Sequence, residues 1–188
     1  MSDLIFQSLR IILNFDENYF QIVLLSIFVS VTAVIIASII SITISSLISL
    51  NSFKLKNSLM IVINSLLALP PVVVGLILYI LFSTNGYFGI YNLLYTVNIM
   101  IIAQIILVTP LLISLCKESI DSVNIKLNEY LHTINASYYQ KTLTLISECK
   151  YNIILNIIVA LGRALSEVGA IIIVGGNISY LTRTMTTG

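Results

Sequence analysis

The sequence predicts an all-α protein, a polytopic bundle of transmembrane helices formed by a single domain over residues 1–188. Of the 188 residues, 58% are apolar and only 9% are charged. The mean hydropathy is +1.05, well above what a soluble domain needs to build a core. The chain also has charge-free stretches longer than the roughly 20 residues that take a helix across a bilayer. We therefore expect a multi-pass protein of the cell (inner) membrane.

The charge-free stretches place the spans. No charged residue lies between Asn18 and Phe53, and none lies between Asn57 and Cys116, where Ser83–Gly89 contains turn-forming residues. A further apolar stretch begins at Tyr151. The predicted spans are about 20–44, 58–82, 95–115 and 151–174. Ahead of them, residues 1–16 are expected to form a short interfacial helix.

The lysines predict the orientation. Between spans two and three, Ser83–Asn98 contains no Lys or Arg, whereas the two other loops carry lysines. By the positive-inside rule the lysine-bearing loops are cytoplasmic and the N-terminus is extracytoplasmic. The net charge of +1 gives no basic surface for nucleic acid, so no nucleic-acid partner is expected. The lysines concerned are Lys54, Lys56, Lys117, Lys126, Lys141 and Lys150.

Prolines interrupt two of the predicted spans. The stretch "LPPVVVGL" places Pro70 and Pro71 in span two, and Pro110 follows Thr109 in span three. A proline inside a helix removes a backbone donor and kinks the helix, which frees carbonyl groups. Two interpretations stay open: the kinked helices line a pore, or the kinks only accommodate packing.

The loop 117–150 is too long to be a simple connection between spans. Apolar residues recur in it at the three- and four-residue spacing of a helix with one apolar face. Asn135 can end that helix, and Ser137 with Gln140 forms a capping-box pattern that starts a second helix at Tyr138. We therefore expect two short helices at an angle. Their apolar face either packs on the protein itself or docks into a groove of a cytoplasmic partner. The residues of this apolar face are Val123, Leu127, Tyr130, Leu131, Ile134 and Tyr138.

The segment "EYLHTINASYYQKTL" at 129–143 resembles the cytoplasmic EAA loop of ABC-importer permeases, which carries the coupling helix that sits in a cleft of the ATPase subunit. Glu129 stands at the Glu position of that loop and Asn135 at its Gly position, while Tyr130 and Leu131 replace two small residues. The resemblance implies that contact with the ATPase subunit is made by Glu129, Tyr130, Leu131, Ile134, Asn135 and Ala136.

Two further stretches make this resemblance specific. Together with "LPPVVVGL", the segment "GRALSEVGAIIIVGGNISYLTRTMTT" at 162–187 is similar to the permease subunit of tungstate importers, within the molybdate, tungstate and sulfate group. "SEVGA" favours the tungstate branch, with molybdate or sulfate as alternatives. Members of this branch continue into a further membrane helix, so we expect the chain to be C-terminally truncated.

The same resemblance implies a type I ABC-importer permease fold and a set of partners. A separate ATPase subunit would bind ATP, an extracytoplasmic binding protein would deliver the oxyanion, and a second permease copy would complete a homodimer around one path. The chain itself would be a transport subunit and not an enzyme, in contact with membrane lipid. Its sequence contains no phosphate-binding loop, metal-ligand motif or nucleophile with a base, so no cofactor is expected in this chain.

Arg163 and Glu167 lie inside the last apolar stretch. Each of two central charges disfavours insertion of the helix into the membrane by roughly 3 kcal/mol. Together they cancel most of the favourable insertion free energy that the apolar residues of this span contribute. A strip of small residues, Gly162, Ser166 and Ala170, would let another backbone approach closely. The pair either fixes helix register or gates an anion path. The residues predicted to line the path or gate are Arg163, Ser166, Glu167, Gly169, Gly175, Gly176, Asn177, Thr182 and Arg183.

Two other function classes compete with this interpretation. A membrane enzyme would use Glu167 and His132, but the predicted topology puts His132 in the cytoplasmic loop and Glu167 deep in or beyond the opposite half of the bilayer. A stand-alone secondary carrier would need its own coupling-ion site, whereas the spans contain a single acidic residue.

Overall fold

A computed structural model describes residues 17–51, 53–179 and 181–187, and every regular element in these ranges is a helix. The all-α class is therefore confirmed, while the interfacial helix expected at 1–16 lies outside the described residues. A short 3₁₀ helix, Gly89–Tyr91, stands between the third and fourth α-helices. The α-helices are α1 (Glu17–Leu50), α2 (Lys56–Leu67), α3 (Pro71–Phe82), α4 (Val97–Thr133), α5 (Tyr138–Glu148), α6 (Lys150–Leu165) and α7 (Gly169–Gly175).

Helices α1 and α4 form the centre of the bundle. Each is long and apolar enough to cross a membrane, over Phe20–Leu50 and Val97–Leu131. The Ser41 hydroxyl donates to the Thr109 carbonyl at 3.2 Å, and the Ser45 hydroxyl donates to the Ile113 carbonyl at 2.9 Å. These bonds advance in the same direction along both helices, so α1 and α4 run parallel. Small side chains on α1 allow this close approach.

Two pairs of consecutive helices are bent at a short break, and each pair is long and apolar enough to form one further membrane span. Helices α2 and α3 meet at 94°, and α5 and α6 meet at 66°. The first bend corrects the expectation of one kinked helix over 58–82. Pro71 is the first residue of α3 and Pro70 is its N-cap, where the lack of an N–H donor costs nothing. The two prolines thus separate two helices.

Pro110 behaves differently from Pro70 and Pro71. Helix α4 continues through Pro110, so this proline does not end the helix. The Thr109 hydroxyl donates to the Ile105 carbonyl at 2.6 Å, and the Thr109 carbonyl accepts from Ser41 of α1. Close packing on α1 and these side-chain bonds accommodate the proline without ending the helix.

Helix α4 continues beyond the predicted end of span three at about residue 115. It extends to Thr133, so the first of the two expected short helices is the end of α4 itself. Lys117 ends the charge-free stretch but not the helix, since lysine is a good helix former and its ammonium group pairs with Asp121 one turn later at 2.5 Å. Apolar residues on one face, including the buried Ile120 and Leu131, continue to pack on the protein.

The fourth predicted span is also interrupted. Helix α6 ends at Leu165 and α7 begins at Gly169, so one continuous helix over 151–174 was a wrong expectation. The Glu167 side chain accepts a hydrogen bond from the Ala170 N–H, which satisfies a donor at the start of α7. A side chain that caps a new helix start competes with continuation of the old helix.

The buried core forms layers along the length of the bundle. We call the end that carries Tyr95 the aromatic end, and the end that carries Lys56 and Lys117 the lysine end. At the aromatic end α1, α3, α4 and α7 bury apolar side chains together, and at the lysine end α4, α5 and α6 do so. Large buried apolar side chains include Ile99, Met100 and Val174 at the aromatic end, Val108 and Leu112 in the middle, and Ile120 and Leu145 at the lysine end.

Candidate functional site

The starts of α3 and α7 lie side by side at the two broken spans. A Cβ atom on Gly75 would come 2.9 Å from the Ala170 Cα, and one on Gly169 would come 2.8 Å from Cγ2 of Val72. Glycine is needed at such approaches because a larger side chain would force the helices apart. Both interruptions therefore occur at one level of the bundle.

Arg163 and Glu167 meet at this level. The Arg163 Nη1 lies 2.7 Å from the Glu167 Oε2, so the expected contact between the two side chains is present. The Glu167 side chain is 6% exposed, whereas the Arg163 side chain is 45% exposed. The carboxylate is thus held inside the bundle, and the guanidinium reaches the open face of α6.

The small residues around the pair do not form the expected continuous seam. The chain leaves the helical path at Ser166, which is exposed, and a Cβ on Gly162 would meet nothing within 4 Å. Only Ala170 of the predicted strip is buried, against Gly75 of α3. Gly162, Arg163 and Ser166 instead share an open face beside the break.

The segment after α7 turns sharply and is anchored to the aromatic end. Gly176 and Asn177 adopt left-handed backbone conformations, with φ values of 70° and 50°. A Cβ on Gly176 would lie 2.7 Å from the Tyr95 ring. The Thr182 hydroxyl donates to the Gly175 carbonyl, and Thr182 is buried. Glycine adopts such a φ without strain, and Asn tolerates it better than most residues.

The chain then returns from the aromatic end to the break. The Thr186 hydroxyl donates to the Glu167 carbonyl at 3.1 Å, and the Met185 N–H donates to the Ser26 hydroxyl of α1 at 2.7 Å. Gly175, Gly176, Asn177 and Thr182 therefore lie apart from the Arg163–Glu167 pair, while Thr186 reaches it. Arg183 lies between the two groups and is half-buried.

A small polar chamber adjoins the break, with a volume of about 10 Å³. Gln104 of α4 is fully buried there, and its Nε2 donates to the Ala164 carbonyl of α6 at 3.1 Å. A volume of this size holds about one water molecule and excludes an oxyanion. The other polar side chains that line the chamber are Ser26, Ser30, Thr184 and Thr186.

Sequence reasoning missed this chamber, although a signal was visible. Gln104 is the one amide within the apolar stretch "IMIIAQIILV", and buried polar groups inside membrane bundles need partners. The partners could not be identified because Ser30 and Ala164, to which the Gln104 amide donates, are 74 and 60 residues away along the chain.

The predicted coupling segment lies at the lysine end. Asn135 has φ 50°, the Ala136 N–H donates to the Leu131 carbonyl at 3.1 Å, and both bonds of the Ser137–Gln140 capping box are present. The expected turn at Asn135 and the start of the next helix at Tyr138 are confirmed.

The apolar face of this segment divides into two parts. Leu131 is 3% exposed and packs on Ile120 and Leu145, so it stabilises the protein itself. Val123, Leu127 and Ala136 are partly buried against the same cluster. The other side chains point outward; we call Tyr130, Ile134, Tyr138 and Tyr139 the coupling surface, with Glu129 exposed beside it.

The two residues of the enzyme alternative are far apart. His132 lies near the end of α4, and Gln104 of the same helix contacts α6 next to the break. The 28 intervening helical steps (132 minus 104) correspond to about 40 Å. The His132 backbone is therefore too distant from Glu167 for the two residues to form one catalytic site. In the described ranges, His, Cys, Asp and Glu form no group that could hold a metal ion.

Comparison with known proteins identifies the group to which the chain belongs. The family described as "Binding-protein-dependent transport system inner membrane component" matches residues 41–188. The tungstate uptake system permease protein TupB of Peptoclostridium acidaminophilum is 37% identical over 180 residues, which cover 96% of this chain and 79% of that protein. TupB of Campylobacter jejuni is 38% identical over 181 residues, covering 96% and 76%.

A molybdenum transport system permease protein, ModB of Haemophilus influenzae, is a weaker relative, 26% identical over 132 residues, with 66% of this chain and 58% of that protein covered. The resemblance inferred from the motifs is confirmed, and with it a non-enzymatic transport component of the membrane. The chain belongs to the family of inner membrane components of binding-protein-dependent transport systems.

Proposed function

We propose that this chain is the membrane-spanning permease subunit of an ATP-driven importer that carries an oxyanion, tungstate before molybdate or sulfate, into the cytoplasm. Two tungstate uptake permeases that are 37% and 38% identical over 96% of the chain support the substrate, and the weaker molybdenum relative supports the order. A separate ATPase subunit binds and hydrolyses ATP, and an extracytoplasmic binding protein delivers the oxyanion.

The observation that carries this proposal is the exposed Arg163 at the break. A guanidinium that faces hydrocarbon costs about 2.5–3.5 kcal/mol or more. Arg163 is 45% exposed and shares an open face with Gly162 and Ser166. This face therefore borders a polar path, which a second copy of the permease encloses. Glu167 weakens the field of Arg163, so a dianion is attracted without being trapped.

Helix α4 connects this path to the coupling surface. Its 37 residues form a rod about 55 Å long. Gln104 near one end of the rod bonds to α6 beside the break, and the Asn135 turn follows its other end. The ATPase subunit binds the coupling surface in a groove. Closure of the ATPase subunit then moves α4 and α1 together as a rigid body, because hydrogen bonds from serines of α1 to carbonyls of α4 join the two helices.

The orientation follows from the lysines. Lys56 and Lys117 lie at the same end as the coupling surface, and the positive-inside rule makes that end cytoplasmic. The first residues of α1 then lie on the extracytoplasmic side, where the binding protein docks.

Uptake by the reconstituted transporter tests this function. Vesicles that contain the permease, the ATPase subunit and the binding protein should accumulate tungstate only with ATP, and molybdate or sulfate more slowly. Arg163→Gln should lower uptake by about tenfold or more with subunit assembly unchanged, since it removes a charge-assisted contact to the anion. Lys54→Gln, an exposed charge outside the path, is the matched control. Normal uptake by Arg163→Gln, or uptake without the ATPase subunit, would contradict the proposal.

A further inference from the structure

A groove of about 610 Å³ lies between α2 and α4 at the lysine end, away from the bend between α2 and α3 and from the break at Ser166–Val168. Lys56 lines it from the start of α2, and Lys117 and Glu118 line it from α4. At one position its walls are joined, where the Ser114 hydroxyl donates to the Asn64 Oδ1 at 3.1 Å. Neither the path nor the coupling surface includes these residues.

The depth of the groove is fixed by its two lysines. No charged residue occurs between Lys56 and Lys117 in the sequence, and both line the same groove. The edge of the hydrocarbon lies where charged side chains begin, because a charge further in would be costly. The groove is therefore at the level of the phospholipid head groups on the lysine side.

The charges in the groove are balanced but not all paired. Lys117 pairs with Asp121, whose Oδ1 also accepts from the Ser49 hydroxyl. Lys56 donates to the Ser49 carbonyl at 3.3 Å, which leaves further N–H donors on its ammonium group. Glu118 is exposed and makes no ion pair within the described ranges. One cation and one carboxylate thus remain available to an occupant.

Apolar side chains complete the groove on the side of the charge-free spans. Met60 and Ile61 of α2 line it, and Ile61 is 65% exposed. An occupant that contacts Ile61 and Lys56 at once needs an apolar part and an anionic part about one helical turn apart.

We propose that this groove binds a zwitterionic phospholipid with a primary amine, a phosphatidylethanolamine. Lys56 holds the phosphodiester, Glu118 accepts hydrogen bonds from the ammonium group, and Met60 and Ile61 contact the acyl chains. The two lysines and two carboxylates of the lining sum to zero charge. A free dianion or an anionic lipid would therefore gain little net attraction, whereas a zwitterion matches both signs.

Lipid retention tests this site independently of transport. The assembled transporter, purified from vesicles of equal phosphatidylethanolamine and phosphatidylglycerol, is analysed by native mass spectrometry without ATP. Lys56→Gln should lower retained phosphatidylethanolamine by about fivefold, a loss expected for one charge-assisted contact. Glu118→Gln should lower it similarly and shift retention toward phosphatidylglycerol. Lys54→Gln is the matched control, because Lys54 is exposed and outside the groove.

Three results would overturn the site. The amount of retained phosphatidylethanolamine could be equal in Lys56→Gln, Glu118→Gln and Lys54→Gln, with the melting temperature unchanged. Inorganic phosphate could displace the lipid, which would identify a free-anion site. Asn57→Cys, placed in the groove, could form a disulfide with a second copy, which would identify a subunit interface. Lipid loss in Lys56→Gln with normal tungstate uptake would support the site and leave the proposed function standing.

Discussion

The turn at Asn135 and the break at Ser166–Val168 both redirect the chain, but different parts of the molecule hold them. At Asn135 the bonds are local: the Ala136 N–H returns to Leu131, and Ser137 and Gln140 cap the next helix. At the break, Glu167 also receives a bond from Thr186, 19 residues later, and Ala170 packs on Gly75 of α3. The turn is thus stabilised by bonds within its own segment, whereas the break is stabilised by contacts from elements that are distant in the sequence.

The largest effect is expected at Glu167. Glu167→Ala removes the partner of Arg163 and the acceptor for the Ala170 N–H. It should lower the free energy of unfolding by about 1–3 kcal/mol, because it leaves polar groups unpaired, and abolish uptake. Thermal unfolding of the purified complex and vesicle uptake measure the two effects.

The double variant Arg163→Gln with Glu167→Gln separates stability from transport. With no unpaired charge left, the melting temperature should return toward that of the unchanged protein, while uptake stays low. Full recovery of uptake would mean that the pair only fixes the break and does not act on the anion.

A pair of glycine substitutions probes the contact between α3 and α7. Gly75→Ala places a methyl group 2.9 Å from the Ala170 Cα, so the helices must separate, at a cost of about 1–3 kcal/mol. Gly162→Ala meets nothing within 4 Å and should be neutral or stabilising by up to about 1 kcal/mol. Chemical denaturation compares the two, and an equal loss in both would refute the close approach.

The smallest effects are expected at the Asn135 turn. Ser137→Ala should cost about 1 kcal/mol through loss of the cap. Asn135→Gly should be nearly neutral, since glycine adopts a φ of 50° without strain. Both variants should leave uptake by the assembled transporter close to normal. A large loss of uptake with Asn135→Gly would show that the Asn side chain itself contacts the ATPase subunit.

The same contrast explains what the sequence could predict. The turn at Asn135 and the cap at Ser137 were predicted correctly because their signals lie within a few residues of each other. The interruption at Ser166–Val168 was missed because hydropathy is continuous across it, and the contacts that stabilise it come from α3 and from Thr186. The length of α4 was underestimated because a charged residue ends a membrane span without ending a helix.

The predicted site residues show the same difference between local sequence signals and contacts that are distant in the sequence. Arg163 and Glu167 were recognised from their cost in an apolar stretch, and they meet in the structure. Gln104 was not singled out, although it bonds to α6 next to them. Leu131, expected on the docking face, is buried because its helix face also serves the core.

The central claim is that the open face beside Arg163 borders a water-filled path and not lipid. Ser166→Cys places a thiol on that face, and Ile39→Cys places one on an exposed apolar surface of α1. Both are made in the assembled transporter with Cys116 and Cys149 replaced, and labelled with a membrane-impermeant charged thiol reagent with and without ATP. We predict that Ser166→Cys reacts at a rate that changes with ATP, while Ile39→Cys stays unreactive. Failure of Ser166→Cys to react in either state would contradict the claim.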